Sequence, residues 1–254
     1  MKHITTSIKS LLASLTLLTL ALTFSSASAS NSMSYYDSVQ TTPRYTQSCY
    51  PAVVFEQEHL VADDYFKDID FSPANKEISF LGQMGIIEGT TDNVFSPNKA
   101  LTRAEYLKMV FLAFGNSIEK GSFNDQYSDL SAAHWAADLI ATATRLDIIN
   151  GYVDGTFKPD QQITYAEAIK IASRATNCNF WDSALLDNGV INQTWSSNWF
   201  EGYMQWAQDN GIYNPDRNDA NYNMVRWNGA KLTYDIMEYV NASLGIDMSV
   251  TKHV

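Results

Sequence analysis

The sequence predicts an all-α protein built from three copies of one helix–loop–helix unit. An internal repeat is the first observation behind this. A shift of 62 residues carries Gly89, Asp92, Phe95, Pro97, Thr102, Ala104, Glu105 and Lys108 onto Gly151, Asp154, Phe157, Pro159, Thr164, Ala166, Glu167 and Lys170. A further shift of 64 carries His134-Trp135 onto Asn198-Trp199, Ile148 onto Ile212, Asn150 onto Asn214 and Ala166 onto Ala230. A constant offset means one supersecondary unit used several times, and such units bury their apolar faces only against one another. The second observation is helical spacing: Trp135, Leu139, Ile140 and Ala143 fall on one face, as do Ala168, Ile169, Ile171, Ala172 and Ala175. The third is a pair of capping boxes, Thr102 with Glu105 and Thr164 with Glu167. In each, the threonine hydroxyl accepts from the N–H three residues on, and the glutamate reaches back to the cap's own N–H.

The repeats run over 65–115, 124–177 and 181–245. In the first, Thr102-Arg103-Ala104-Glu105 opens a helix whose apolar face carries Leu107, Met109, Val110 and Phe114. In the second, Ser131 is expected to cap the leading helix, and Asp147-Ile148-Ile149-Asn150-Gly151 ends it with a residue suited to positive φ. Tyr152-Val153-Asp154-Gly155-Thr156-Phe157 then forms a compact turn with an apolar plug. Lys158-Pro159-Asp160 forms a second turn, because proline presets φ and cannot continue a helix. In the third, Asn228 stands at the cap position by ungapped alignment and Lys231 replaces the glutamate, so the cap is retained without its box. Trp227, Leu232, Ile236 and Tyr239 keep the apolar face there.

Residues 1–29 read as a secretory signal peptide: Lys2 and Lys9 precede an apolar run over 11–24, and Ala27-Ser28-Ala29 fits a cleavage motif. The alternative is an N-terminal membrane anchor, although the run is short of the roughly 20 apolar residues a spanning helix needs. No later stretch is apolar enough to span, so no integral membrane segment is expected in the mature chain. Residues 30–64 form an N-terminal arm rich in Ser, Thr, Tyr and Gln at its start. Cleavage after residue 29 leaves 15 basic and 28 acidic residues, a net charge of −13. Such a chain is repelled by nucleic acid and anionic lipid, and holds an anionic ligand only through local positive potential. Cys49 and Cys178 are the only cysteines. An oxidising compartment permits one bridge between them, and two buried free thiols are the other reading.

No enzyme is expected. The chain has no G-x-S-x-G nucleophile motif and no phosphate-cradling loop. His3, His59 and His253 are scattered and His134 reads as a helix-start partner, so no zinc site is expected. Asp216, Asn218, Asp219, Asn221 and Asn223 lack the glycine and the terminal glutamate of a calcium loop, and read as a turn. No cofactor is implied.

The repeats resemble the S-layer homology (SLH) family of bacterial surface proteins. The first copy carries Phe66-Lys67-Asp68, Gly85-Ile86-Ile87-Glu88-Gly89, Phe95-Ser96-Pro97 and Leu101-Thr102-Arg103-Ala104-Glu105. The second carries Tyr127-Ser128-Asp129, His134-Trp135-Ala136, Asp154-Gly155-Thr156-Phe157-Lys158-Pro159 and Ile163-Thr164-Tyr165-Ala166-Glu167, while the third is divergent. The resemblance implies three repeats in pseudo-threefold array, each giving one helix to a central bundle and one to the outside. It also implies an exported cell-surface module that attaches non-covalently to a cell-wall polysaccharide, anionic or neutral, through grooves between repeats. The motif arginine contributes to that binding in the family.

Arg103 follows the Thr102 cap and stands in the electropositive first turn of its helix, where a guanidinium can add a two-pronged contact to a sugar-borne acid. The other reading is a solvated arginine paired with a nearby carboxylate. The matching position is Tyr165 in the second copy and Gly229 in the third by ungapped alignment. Trp135 and Trp199 can stack on an apolar sugar face, although tryptophans more often pack into a core. Arg103, Trp135, Trp199 and Tyr165 are thus the expected glycan contacts, and Thr102, Glu105, Thr164, Glu167 and Asn228 the structural caps. The alternative function is a structural envelope protein acting on other envelope proteins without glycan binding.

Overall fold

The computed structural model describes residues 65–176, 199–215 and 219–245. The described residues contain six helices and no strand: α1 (Asn75–Gln83), α2 (Arg103–Ala113), α3 (Ala137–Arg145), α4 (Tyr165–Ala175), α5 (Glu201–Asp209) and α6 (Arg226–Ser243). The expectation of an all-α fold from paired helices holds. The expected leader at 1–29, the expected arm at 30–64, Cys49 and Cys178 lie outside the described residues.

Both predicted capping boxes form. Glu105 N donates to Thr102 Oγ1 at 3.2 Å while Thr102 N donates to Glu105 Oε2 at 2.9 Å. The second box repeats this with Glu167 N to Thr164 Oγ1 at 3.3 Å and Thr164 N to Glu167 Oε2 at 3.1 Å.

Two expected caps lie elsewhere. Asn228 is not at the cap of α6. Val225 holds that place, and Asn228 stands at the third helical position, where its Oδ1 accepts from Val225 N at 3.0 Å. It therefore does the glutamate's half of the box, and valine, without an acceptor, cannot do the threonine's half. The reason is length: from Ile212 to the helix start the third copy is three residues shorter than the second is from Ile148. An ungapped register therefore slips by almost one turn. Ser131 likewise does not cap α3, which begins at Ala137. His134 supplies the local bond instead, its Nδ1 accepting from Ala136 N at 3.1 Å. That leaves Nε2 to donate to Asp160 Oδ1 at 3.3 Å.

The left-handed residue after each outer helix is Gly85, Asp147 or Gly211, with φ of 67°, 57° and 72°. Gly151 serves a different need: a Cβ there would run into the Tyr127 ring and sit 2.6 Å from Thr156 O. The aspartates of the repeat starts tie down the following turns. Asp68 accepts from Phe95 N and Ser96 N at 2.8 and 2.7 Å, and Asp129 accepts from Phe157 N and Lys158 N at the same distances. Phe95 and Phe157 are thereby pinned as buried plugs, each against an aromatic two residues before its aspartate, Phe66 and Tyr127.

The three repeats close on themselves. The residue two before each inner helix donates its N–H to the same position of another repeat: Leu101 to Met224 O (3.1 Å), Met224 to Ile163 O (2.8 Å) and Ile163 to Leu101 O (3.0 Å). All three side chains are fully buried. Below this ring α2, α4 and α6 pack together as the central bundle. Each outer helix packs on the inner helix of a neighbour: α3 on α2, α5 on α4 and α1 on α6. No repeat completes its own core.

Two consequences are measurable. Asp129→Ala leaves two turn N–H groups without their acceptor and is expected to cost about 1–3 kcal/mol, read from the urea midpoint. Gly151→Ala would ordinarily gain from reduced unfolded-state freedom; here crowding against backbone and ring should reverse the sign, with a loss of about 1–3 kcal/mol in the same assay.

Candidate functional site

The first residue of each inner helix reaches across into the next repeat's loop. Arg103 does so from α2: its Nε donates to Phe157 O at 3.0 Å and its guanidinium lies 4.8 Å from the Phe157 ring centroid. Arg226 does the same from α6, with Nε to Phe95 O at 2.8 Å and 4.4 Å to the Phe95 centroid. Arg226, not Gly229, is therefore the third copy's motif arginine. Gly229 lies inside α6 against the Leu101 side chain. Sequence alignment missed Arg226 through the same slip that misplaced the cap. The signal was nonetheless there: Met224-Val225-Arg226 repeats the apolar, β-branched, arginine order of Leu101-Thr102-Arg103. In α4 the position is Tyr165, buried against Tyr213 and Tyr222, its hydroxyl taking a 3.3 Å bond from Asn228 Nδ2. Burial, the largest cause, pushes the Tyr165 phenol up to about 12.

A seam between neighbouring repeats runs beside each inner helix, and those beside α2 and α6 open into cavities. Cleft 1, beside α2, holds about 320 Å³ and is lined by Glu88, Thr90, Lys108, Trp135 and Arg226, with Glu105 at its side. Trp135 is 57% exposed there, which removes the core-packing reading. Lys108 Nζ meets Glu88 Oε2 at 2.9 Å. Arg226 is 5% exposed, and among the described residues no carboxylate lies within ion-pair distance of it. Its Nη2 donates to Glu88 O at 2.7 Å. Burial lowers its pKa, opposed by the more distant Glu105 and Asp68 carboxylates.

Cleft 2, beside α4, has the same parts in another arrangement. Arg103 is 4% exposed, and its Nη1 pairs with Glu167 Oε1 at 3.1 Å. It is thus neither solvated nor free. Trp199 is 55% exposed and carries Lys170 Nζ at 4.9 Å from its ring centroid. Burial first, then repulsion by Arg174 and Arg103, lowers the Lys170 pKa.

Cleft 3, beside α6, holds about 570 Å³ between Pro73, Tyr165, Tyr222, Trp227, Lys231 and Asp235. Here Lys231 Nζ is matched by Asp235 at 2.8 and 3.0 Å. Lys108, Lys170 and Lys231 thus occupy one position of the three inner helices, and their different partners give the clefts different charge. Among the described residues no group of histidine, cysteine and carboxylate side chains is placed to hold a metal ion.

The S-layer homology domain family matches residues 65–107 and 126–169. A surface layer protein of Brevibacillus choshinensis is 30% identical over 123 residues, covering 45% of this chain and 11% of its own length. A middle cell wall protein of Brevibacillus brevis is 26% identical over 70% of this chain and 16% of its own length. A cellulosome-anchoring protein of Acetivibrio thermocellus is 32% identical over 48% of this chain and 28% of its own length. The chain therefore spans less than a third of each of these relatives. The third unit lies outside the matched residues, yet its inner helix enters the same backbone ring and its arginine makes the same contact. The chain thus carries two repeats of the S-layer homology type, at 65–107 and 126–169.

Proposed function

We propose that this chain is an exported, non-enzymatic module that holds to an envelope polysaccharide through the clefts between its repeats. Cleft 1 carries the reading. It joins a half-exposed tryptophan to a nearly buried arginine that has carbonyl partners but, among the described residues, no paired carboxylate. A buried cation without a counter-ion is costly, and a sugar-borne acid entering the cleft would relieve that cost through a charge-assisted bond. Trp135 offers the flat apolar face that a sugar ring stacks on. Cleft 2 adds Trp199 with Lys170, and two weak sites on one rigid body raise retention through effective concentration. Relatives named for the surface layer, the cell wall and cellulosome anchoring agree with attachment of this kind.

Contact with other envelope proteins is the second reading, favoured by Phe71 and Val153, whose side chains stand fully in solvent. The two readings separate on purified sacculi. Wild-type protein is expected to sediment with sacculi, and Trp135→Ala to weaken the apparent affinity by about tenfold, near 1.4 kcal/mol. Phe71→Ser should leave it unchanged. Wild type remaining in the supernatant would end the polysaccharide reading; loss on Phe71→Ser alone would favour protein contact. A second expectation concerns Arg103→Ala. It strands Glu167 in a nearly buried position and should cost about 3–5 kcal/mol of stability. Thermal melting of this variant therefore has to accompany any binding measurement on it.

A further inference from the structure

Clefts 1 and 2 share one backbone turn and differ in the side chain it presents to the arginine. Thr90 N donates to Val94 O at 2.7 Å, and Tyr152 N donates to Thr156 O at 2.7 Å, so the two residues occupy one position of the repeat. In cleft 1 the threonine leaves the space beside the arginine open. Its hydroxyl turns to Ser96 Oγ at 2.8 Å and Val94 O at 3.3 Å. In cleft 2 the tyrosine fills that space. The Tyr152 hydroxyl donates to Glu167 Oε1 at 2.5 Å, and Glu167 Oε1 in turn holds Arg103 Nη1. The Tyr152 ring lies 4.8 Å from the Arg103 guanidinium carbon and 4.1 Å from Lys158 Nζ. Burial and the bond to Glu167 push its phenol up to about 12, so it stays a neutral donor at any physiological pH.

The carboxylates follow the same division. Glu167 is engaged by Arg103 and Tyr152, whereas Glu105 lies beyond ion-pair distance of Arg226 and is met by Lys99 at 3.7 Å. The guanidinium under Tyr152 is thus already supplied with an oxygen anion, a carbonyl and two aromatic faces, while that of cleft 1 has no oxygen anion among the described residues.

Resting on the polysaccharide reading above, we propose that Tyr152 is a specificity-determining residue. It masks Arg103, so that the acidic group of the polysaccharide is received by an arginine in cleft 1 alone, through Arg226. Thr90 is the matching residue that keeps cleft 1 open. Cleft 2 then contributes Lys170 and Trp199, without an arginine.

Co-sedimentation with purified sacculi tests this in wild type and four variants, each checked for folding by its thermal melt. Thr90→Tyr, a change at an exposed position, is expected to lower the apparent affinity about tenfold by covering Arg226. Tyr152→Thr is expected to raise it about tenfold by uncovering a second arginine on the same body. Arg226→Met should abolish most retention, and the double variant Tyr152→Thr with Arg226→Met should recover it through Arg103. If wild type does not sediment, the polysaccharide reading fails and this inference falls with it. If wild type sediments but Thr90→Tyr binds as well as wild type, or Tyr152→Thr leaves the affinity unchanged, the reading stands and the masking role is wrong. Should Arg226→Met fail to fold, the Thr90→Tyr and Tyr152→Thr pair decides the matter.

Discussion

Three backbone hydrogen bonds, Leu101 to Met224, Met224 to Ile163 and Ile163 to Leu101, set the geometry on which the rest depends. Buried N–H and C=O groups must find partners, and here each repeat finds its partner in another copy. The ring fixes where the three inner helices begin. Two residues later along each chain stands the first helical residue, aimed into the neighbouring loop. Backbone pairs extend the seam: Arg103 N to Gln161 O, Tyr165 N to Tyr222 O and Arg226 N to Lys99 O. The helix starts and the neighbouring turns are therefore one construction, and the clefts lie along its joints.

Because the scaffold repeats, differences between clefts reduce to single side chains. The same backbone position holds Arg226, Arg103 or Tyr165 at the head of the cleft, and Lys108, Lys170 or Lys231 along its wall. Lys108 faces an exposed glutamate, Lys170 lies over an indole, and Lys231 is matched by Asp235. Burial raises the Asp235 pKa, with the Lys231 ammonium opposing it. A triplicated fold thus offers three chemically distinct surfaces without three distinct backbones.

Much of this was legible in the residues. The capping boxes at Thr102 and Thr164 were readable because a box is a local rule, satisfied within four residues. The repeat offset foretold the paired helices for the same reason. The third copy resisted: its loop is shorter, and Val225 carries no hydroxyl to announce a cap. Exposure was also unreadable for the tryptophans. An indole at the start of an outer helix looks the same whether it faces the core or a cleft, and only the neighbour against which α3 and α5 pack decides. For Arg103 the identity of the carboxylate partner was not readable. Its carboxylate partner is 64 residues away and becomes close only when two repeats meet.

The sequence by itself determined the all-α class, the two well-kept repeats and the chemistry present at each helix start. These depend on short-range hydrogen bonding and on apolar periodicity, which are written along the chain. The tertiary structure alone decided which arginine meets a carboxylate and which meets none among the described residues, and which tryptophans face solvent. Those outcomes depend on distances between groups contributed by different repeats, and the closed ring of three, not any local segment, brings such groups together.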